Sequence, residues 1–324
     1  MKVSIIVPIY NAEATAGRSL ESIKAQTFRD FEVVFVDDCS SDGSRAVMQE
    51  FAEESGIPAK IVCHEANRGV AAARNTGLDA AEGEYVCWLD ADDTMEPDAL
   101  AKAVEVAGAA GADIAGWDWT LGFEKNGRYM RQADYSSPLD ALKALMGGTM
   151  RWNLWLFLIR RSLLVDNNIR FIEGADMGED MMVMLKAFCK AGRVVQLHEA
   201  LYRYNAVSSS SISRQFSDRR RSEVGINVEE AEKAVLASQY GSELSEYVNQ
   251  LKLCIKLPLL MSSERSDYEI WYSWFPEANG SAMSNKALPL RTRLLQKMAS
   301  ARCWCAVRLY YLLVYKVVYG IIYK

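Results

Sequence analysis

Three carboxylates fall within four positions at Asp90-Ala91-Asp92-Asp93. Like charges this close disfavour one another's ionisation unless something positive lies among them. A hard divalent cation that also holds phosphate oxygens is the natural neutraliser, because Mg²⁺ commonly takes one or two protein carboxylates and completes its shell with substrate phosphates. The alternative is an acidic turn that caps the following helix, and the spacing alone does not choose between them. Two further acidic pairs have a similar double reading. Asp37-Asp38 precedes Ser40-Ser41-Asp42-Gly43, a turn and helix-cap composition. Glu179-Asp180 opens a segment in which Met182, Leu185 and Phe188 recur at helical spacing. Carboxylates in a first turn complement the helix dipole, and one of them could equally serve as a proton acceptor.

The elements that must position these groups alternate. Val3–Tyr10, Phe31–Asp38, Lys60–His64, Tyr85–Asp90 and Asp113–Leu121 are apolar or β-branched runs that predict strands. Between them, Glu13–Ala25, a segment opening at Ser41–Ser44, Gly69–Ala81 and Pro97–Ala110 have helical spacing or composition. This alternation predicts an α/β fold with a parallel sheet covered on both faces. Ligands of such sheets bind beyond the carboxyl ends of the strands, which is where Pro8-Ile9-Tyr10-Asn11, Asp37-Asp38 and Asp90–Asp92 fall. The first strand is not followed by G-x-G-x-x-G, and G-x-x-x-x-G-K-[ST] does not occur, which argues against a Rossmann dinucleotide site and a P-loop. After Tyr135 the pattern turns helical, with Pro138–Met146, Ile159–Asn167, Glu179–Ala191 and Ser222–Tyr240 predicted as helices. A Ser-rich loop, Ser208–Ser213, is expected to close the first domain or cover its site.

The 324 residues are 50% hydrophobic and 24% charged, a globular composition. Seven scattered cysteines without a C-x-x-C pair, and only two histidines, suggest neither a zinc site nor a disulfide framework. They fit a reducing, cytoplasmic compartment, and the N-terminus has no signal-peptide pattern. The net charge of −5 conceals an asymmetry: Lys286 to Lys324 contains eight basic residues and no acidic one, so the rest of the chain is strongly acidic. That acidity argues against a nucleic-acid partner. The tail mixes Trp, Tyr, Leu and Ile with Arg and Lys but is too short and interrupted to span a bilayer. It is expected either to lie against anionic headgroups at the inner face of the cell membrane or to pack on the preceding domain. The expected division is 1–217, 218–285 as a helical appendage, and 286–324 as the basic, aromatic-rich extension.

Taken in order, Val7-Pro8-Ile9-Tyr10-Asn11, Gln26-Thr27-Phe28, Val36–Ser44, Asn67-Arg68-Gly69, Ala73–Gly77, Gly83-Glu84-Tyr85 and Leu89–Asp93 resemble glycosyltransferase family 2, closely over residues 1 to 120 and more loosely to about 215. The resemblance implies a GT-A fold, a Rossmann-like, mostly parallel sheet flanked by helices, here with a C-terminal helical extension. It implies an inverting transferase that takes a sugar from a nucleotide-sugar donor, usually UDP-linked, with a divalent cation, Mn or Mg. Carried onto this sequence, Pro8, Tyr10 and Asn11 lie against the nucleoside, Asp38 meets the base edge, and Asn67, Gly69 and Arg74 belong to the donor-side loop. Asp90 lies near the ribose and Asp92 is the metal ligand, with Asp93 a supporting or helix-capping residue. Asp180 is the implied base, and Glu179 its neighbour or substitute. The implied acceptor is a glycan or lipid-linked hydroxyl in bacterial surface polysaccharide synthesis. One departure stands out: relatives carry Trp-Asn-Lys where this chain has Trp152-Asn153-Leu154, so a lysine contact is not carried over. Arg214 is a weaker candidate for the diphosphate. A sugar-nucleotide pyrophosphorylase would want a Gly-rich basic loop where Asn11-Ala12-Glu13-Ala14 stands, and a non-catalytic relative would not need Asp92 and Asp180.

Overall fold

A computed structural model describes residues 1–123, 126–205 and 217–314. The chain divides into two compact units, one of residues 1–141 and 152–238, the other of 142–151 and 239–324. The first unit therefore continues past the boundary expected at 217.

In the first unit, β1 (Val3–Ile9), β2 (Phe31–Asp37), β3 (Ala59–Cys63) and β4 (Tyr85–Trp88) alternate with α1 (Glu13–Lys24), α2 (Ser44–Glu54) and α3 (Val70–Ala80). Then come β5 (Thr94–Met95), α4 (Ala99–Ala110), β6 (Ile114–Gly122), β7 (Gly127–Met130) and α5 (Pro138–Met146), the last crossing the division between units. β8 (Phe157–Arg160), α6 (Arg161–Asp166), α7 (Glu179–Lys190), β9 (Val194–Asn205) and α8 (Asp218–Leu236) complete it. The strands form one sheet in the order β3-β2-β1-β4-β8-β6-β9-β5, with β7 paired to β6. The parallel ladders β3–β2–β1–β4 and β6–β9 are the longer ones, and short antiparallel pairings place β8 between β4 and β6. Every residue of β2 is buried, as is every residue of β1 except half-buried Pro8, which is why both read as nearly continuous apolar runs, broken at Ser4 and Glu32, rather than alternating ones.

One expectation changes. Ile159–Asn167 was predicted as one helix, but Phe157–Arg160 is a strand and the helix begins at Arg161. A short, fully buried apolar run reads alike in both states.

Strand order turns back at β1, whose neighbours are β2 on one side and β4 on the other. That is the crevice where α/β sheets bind ligands. Helix α3 covers this half of the sheet, and Gly77 lets it sit close: a Cβ there would lie 2.3 Å from Ile6 Cγ2.

The second unit contains α9 (Gly241–Lys256), α10 (Arg265–Ser273), α11 (Leu290–Ser300) and α12 (Trp304–Tyr311). Leu253, Leu260, Trp271, Leu295, Ala299 and Val307 share one core, so the boundary expected at 286 falls inside this unit. Buried Lys256 donates to the carbonyls of Trp274 (2.8 Å) and Phe275 (3.1 Å) and to Asn279 Oδ1 (2.6 Å), and lies 4.3 Å from the Trp271 ring centroid. Burial pushes its amine down to about 7, while three oxygen acceptors suit all three protons of the ammonium form.

Gly77→Val should destabilise the protein by about 1–3 kcal/mol, the usual cost of overpacking, seen as a lower urea midpoint. An unchanged midpoint would mean that α3 is not seated on Ile6.

Candidate functional site

A cavity of about 590 Å³ opens at the crevice, walled by Pro8, Tyr10, Asp38 and Asp90 at the ends of β1, β2 and β4 and by Asn67 and Gly69 before α3. Six expected donor-side residues thus line one space. Tyr10 is 54% exposed at its edge, an aromatic face open to a planar ring. Asn11 instead pins loops together. It adopts φ 50°, its N–H donates to Ser40 Oγ, and its Oδ1 accepts from the Ser41 N–H at 2.9 Å. An Asn there tolerates the left-handed backbone at low cost.

The acidic pairs divide their work. Asp37 accepts from the Ser40 N–H and from Arg45 (2.7 Å) and fixes the turn. Asp38 faces the cavity, where its carboxylate accepts from the N–H groups of Arg68 (2.9 Å) and Gly69 (2.8 Å) and meets His64 Nδ1 at 2.7 Å. It shapes the 67–69 loop before any ligand arrives. Asp93 is buried and caps no helix. It accepts from Tyr202 OH and from the Asn205 N–H, both at 2.8 Å, and so ties the acidic turn to the end of β9. Burial, then repulsion from Asp90, pushes its carboxyl up to about 8. Asp92 is half-buried beside it, and its carbonyl accepts from the Asn205 amide.

The densest electrostatic feature is Arg74, 4% exposed on α3. It was expected on the donor side, but it is not among the cavity-lining residues. Its Nη1 donates to Glu179 Oε1 (2.6 Å) and Asp180 Oδ1 (2.5 Å), and its Nη2 lies 3.5 Å from Asp90 Oδ1. Phe171 lies under the guanidinium, 5.8 Å from centroid to Cζ. Asp180 Oδ2 also accepts from the Leu154 N–H at 3.3 Å, so position 154 contributes backbone where the family resemblance implied a lysine. Burial and then Asp180 push Glu179 up to about 8, although Arg74 opposes them. Asp90 is pushed up to about 6 by burial, with Arg74 opposing and Asp180 and Asp92 adding repulsion. Asn75 does not reach the cavity. Its amide makes a two-way bridge to the backbone of Phe171, with both bonds 3.0 Å long.

Several residues here escaped sequence reasoning. Asp176 lines the cavity and accepts from the Ala71 N–H at the start of α3. Met177, Ser217, Arg219, Arg220 and Glu223 complete the wall. The run Arg219-Arg220-Arg221 at a helix start was a readable signal, because the dipole there disfavours cations. Trp155 is core, stacked on Tyr202 with centroids 4.4 Å apart. Arg214 and the Ser208–Ser213 loop lie outside the described residues.

The family profile described as Glycosyl transferase family 2 matches residues 4–178. The chain belongs to that family. This glycosyltransferase is 30% identical over 262 residues to the putative glycosyltransferase EpsH of Bacillus subtilis strain 168, covering 79% of this chain and 74% of that protein. It is 32% identical over 222 residues to the succinoglycan biosynthesis protein ExoO of Rhizobium meliloti strain 1021, covering 65% of this chain and 62% of that protein. Its fold matches the crystal structure of Staphylococcus aureus TarS 1–349 in complex with UDP-GlcNAc. The TM-score is 0.76 at 22% identity, over 97% of this chain and 91% of that one. The glycosyltransferase therefore has a GT-A fold with a helical C-terminal region, as the family resemblance implied.

Gly69, at φ +89°, leaves no room for a Cβ, which would lie 2.1 Å from Asp176 Oδ2. Gly69→Ala should displace Asp176 and weaken nucleotide binding about tenfold, in keeping with roughly 1–3 kcal/mol of local strain. Titration with UDP checks this, and unchanged affinity would place the nucleotide elsewhere.

Proposed function

We propose that this glycosyltransferase moves a sugar from a nucleotide-sugar donor, a UDP-sugar, to a hydroxyl of a glycan or lipid-linked acceptor, with inversion at the anomeric carbon. The observation that carries the reading is the continuity of the site. Tyr10 and Asp38 stand at one side of the cavity and Asp90 at another, and a single guanidinium joins Asp90 to Asp180. The nucleoside lies against Pro8 and Tyr10, with the spare acceptor capacity of Asp38 toward its base. The diphosphate then faces the Asp90–Asp92 turn.

The donor set suits a hard cation. Asp90 and Asp92 offer carboxylate oxygens only, the hard donors such a cation takes. Among the described residues no cluster of three or more His, Cys, Asp or Glu side chains forms a cage. Mg²⁺ or Mn²⁺ at such a place takes one or two carboxylates and the substrate's own phosphates. When bound at Asp92, such an ion supplies Lewis-acid stabilisation of the charge that builds on the departing nucleotide. The sugar carbon gains oxocarbenium character as that bond breaks, as in glycoside hydrolysis. Asp180 takes the proton from the acceptor hydroxyl on the opposite face, which is the step that inversion requires.

ExoO is by its name a succinoglycan biosynthesis protein and EpsH a putative glycosyltransferase, which supports an acceptor in surface polysaccharide synthesis. A position on the cytoplasmic face of the membrane is part of the same reading. Among the described residues no helix is long and apolar enough to cross a bilayer. However, Leu290 and Leu294 on α11, and Leu309, Leu312 and Leu313 on and after α12, are exposed beside exposed Arg291, Lys297 and Arg308. Leucines turned outward among cations suit an anionic lipid surface.

A panel of nucleotide sugars, assayed for binding and slow hydrolysis with and without Mn²⁺ or Mg²⁺, tests the donor. At least one should bind and turn over, and the reading fails if none does. Asp180→Asn should cut transfer by about 10²–10⁴-fold, the usual weight of a general base, while donor affinity stays within about threefold. Lost donor binding would remove Asp180 from the acceptor side. For the membrane, the protein should float with phosphatidylglycerol-containing vesicles and not with phosphatidylcholine alone. Leu309→Ser with Leu313→Ser should abolish that difference, and equal flotation of the variant would refute the surface.

A further inference from the structure

We propose that Arg74 is the positioning residue that holds and aims Asp180, and that its work is on the base rather than on the donor. The inference rests on the assignment of Asp180 as base in the reading above. Arg74 is buried, and its Nη1 is held between Glu179 Oε1 and Asp180 Oδ1 at 2.6 and 2.5 Å. The Leu154 N–H holds the other oxygen of Asp180. One carboxylate oxygen is thus pinned from α3 and the other by the backbone before β8, which fixes the plane of the group. The charged groups around Asp180 include Arg74 from α3, Glu179 from its own helix, and Asp90 from the end of β4, with Asp92 next to Asp90.

Among the described residues, Arg74 is the cation that contacts Asp180, Glu179 and Asp90 together, and without it these buried carboxylates lose that shared partner. Such groups respond by taking up protons, and a protonated Asp180 cannot accept one from a hydroxyl. Arg74 therefore sets the lower pH limit of the reaction. Glu179 acts in the opposite sense. It shares the same guanidinium through Oε1, and whenever it is ionised it competes with Asp180 for the positive charge. Asn75, the next residue on α3, clamps the Phe171 backbone, so the helix that carries Arg74 is tied to the segment leading into α7.

The test compares Arg74→Lys, Arg74→Met and Glu179→Gln with the parent protein. The probe is UDP-N-acetylglucosamine with Mn²⁺, or whichever nucleotide sugar the panel shows to be turned over, and transfer to water is followed from ~pH 5 to ~pH 9 at saturating donor. Under saturation the acid limb reports the base in the donor complex. In Arg74→Met the limb should move to higher pH, so that activity at ~pH 6 falls about tenfold further than at ~pH 8.5, one pK interval. Arg74→Lys, which retains a cation, should lie between the parent and the Met variant. Glu179→Gln should move the limb to lower pH, and this variant carries the test if Arg74→Met does not fold. UDP affinity should stay within about threefold throughout. Losses that are equal at every pH, or a limb that stays in place in both Arg74→Lys and Glu179→Gln, overturn the inference. So does a loss of UDP affinity in step with activity, which would return Arg74 to the donor. A parent protein that turns over no nucleotide sugar refutes the glycosyltransferase reading itself, and this inference with it.

Discussion

The contact between Arg74 and three carboxylates constrains the rest of the first unit. Ionised groups removed from water cost several kcal/mol each unless paired with good geometry, and here Asp90, Glu179 and Asp180 converge on one guanidinium. That geometry holds only if three distant pieces of chain keep register: the end of β4, the middle of α3 and the first turn of α7. The surrounding structure supplies the register. Gly77 lets α3 close on β1, Asn75 clamps Phe171, and Asp176 reaches back to the N–H of Ala71. The segment from Phe171 to Asp180 is therefore fixed to α3 at its start, near its middle and at its end. Such a place is built for precision, since a buried pair that shifts leaves charge uncompensated.

The acidic pairs show how the sheet converts position into chemistry. In Asp37-Asp38 the first carboxylate binds the turn and Arg45, which leaves the second at the cavity. In the 90–93 turn the roles are reversed, with Asp93 buried against β9 while Asp90 lines the cavity. In each case an anchored acid sets the direction of its neighbour. Asp93 has a second consequence. Because it holds Tyr202 and Asn205, the candidate metal-side turn and the end of β9 are coupled, and Tyr202 in turn stacks on Trp155, next to the Leu154 N–H that meets Asp180. Hydrogen bonds and packing thus connect the acidic turn to Asp180 by a route separate from Arg74.

The parallel half of the sheet was legible because its strands are buried on both faces and its ligand-bearing residues sit where strands must end. Pro8, Asp38 and Asp90 were placed by that rule before their geometry was known. The antiparallel half was not legible. β8 is a short apolar run that reads equally as helix, and β5 is two residues long. The role of Arg74 was hidden for a different reason. An arginine on an Ala-rich helix has many equivalent readings until the fold brings Glu179 and Asp180, 105 and 106 positions away, to its tip. Long-range ion pairs leave no local pattern. At 286 the charge composition changes while the core does not: Leu295 and Val307 pack with Leu253 and Leu260.

The start of α8 breaks a local rule, and the reason lies in the cavity. Arg219, Arg220 and Arg221 occupy a first turn, where the dipole disfavours cations by roughly 0.3–1 kcal/mol each. Part of this is offset nearby, by Glu223 for Arg219 and Asp218 for Arg221, and Ser217 caps the helix by accepting from the Arg220 N–H. Those local pairs would be unnecessary had the helix begun with acids, as α7 does. Arg219 and Arg220 instead form a wall of a cavity whose other charged lining is Asp38, Asp90, Asp176 and Glu223. In the proposed reading, a site built from acids alone would repel a donor's diphosphate. Helix α8 gives up some local stability so that positive charge stands on that wall, a violation of pattern of the kind functional sites concentrate.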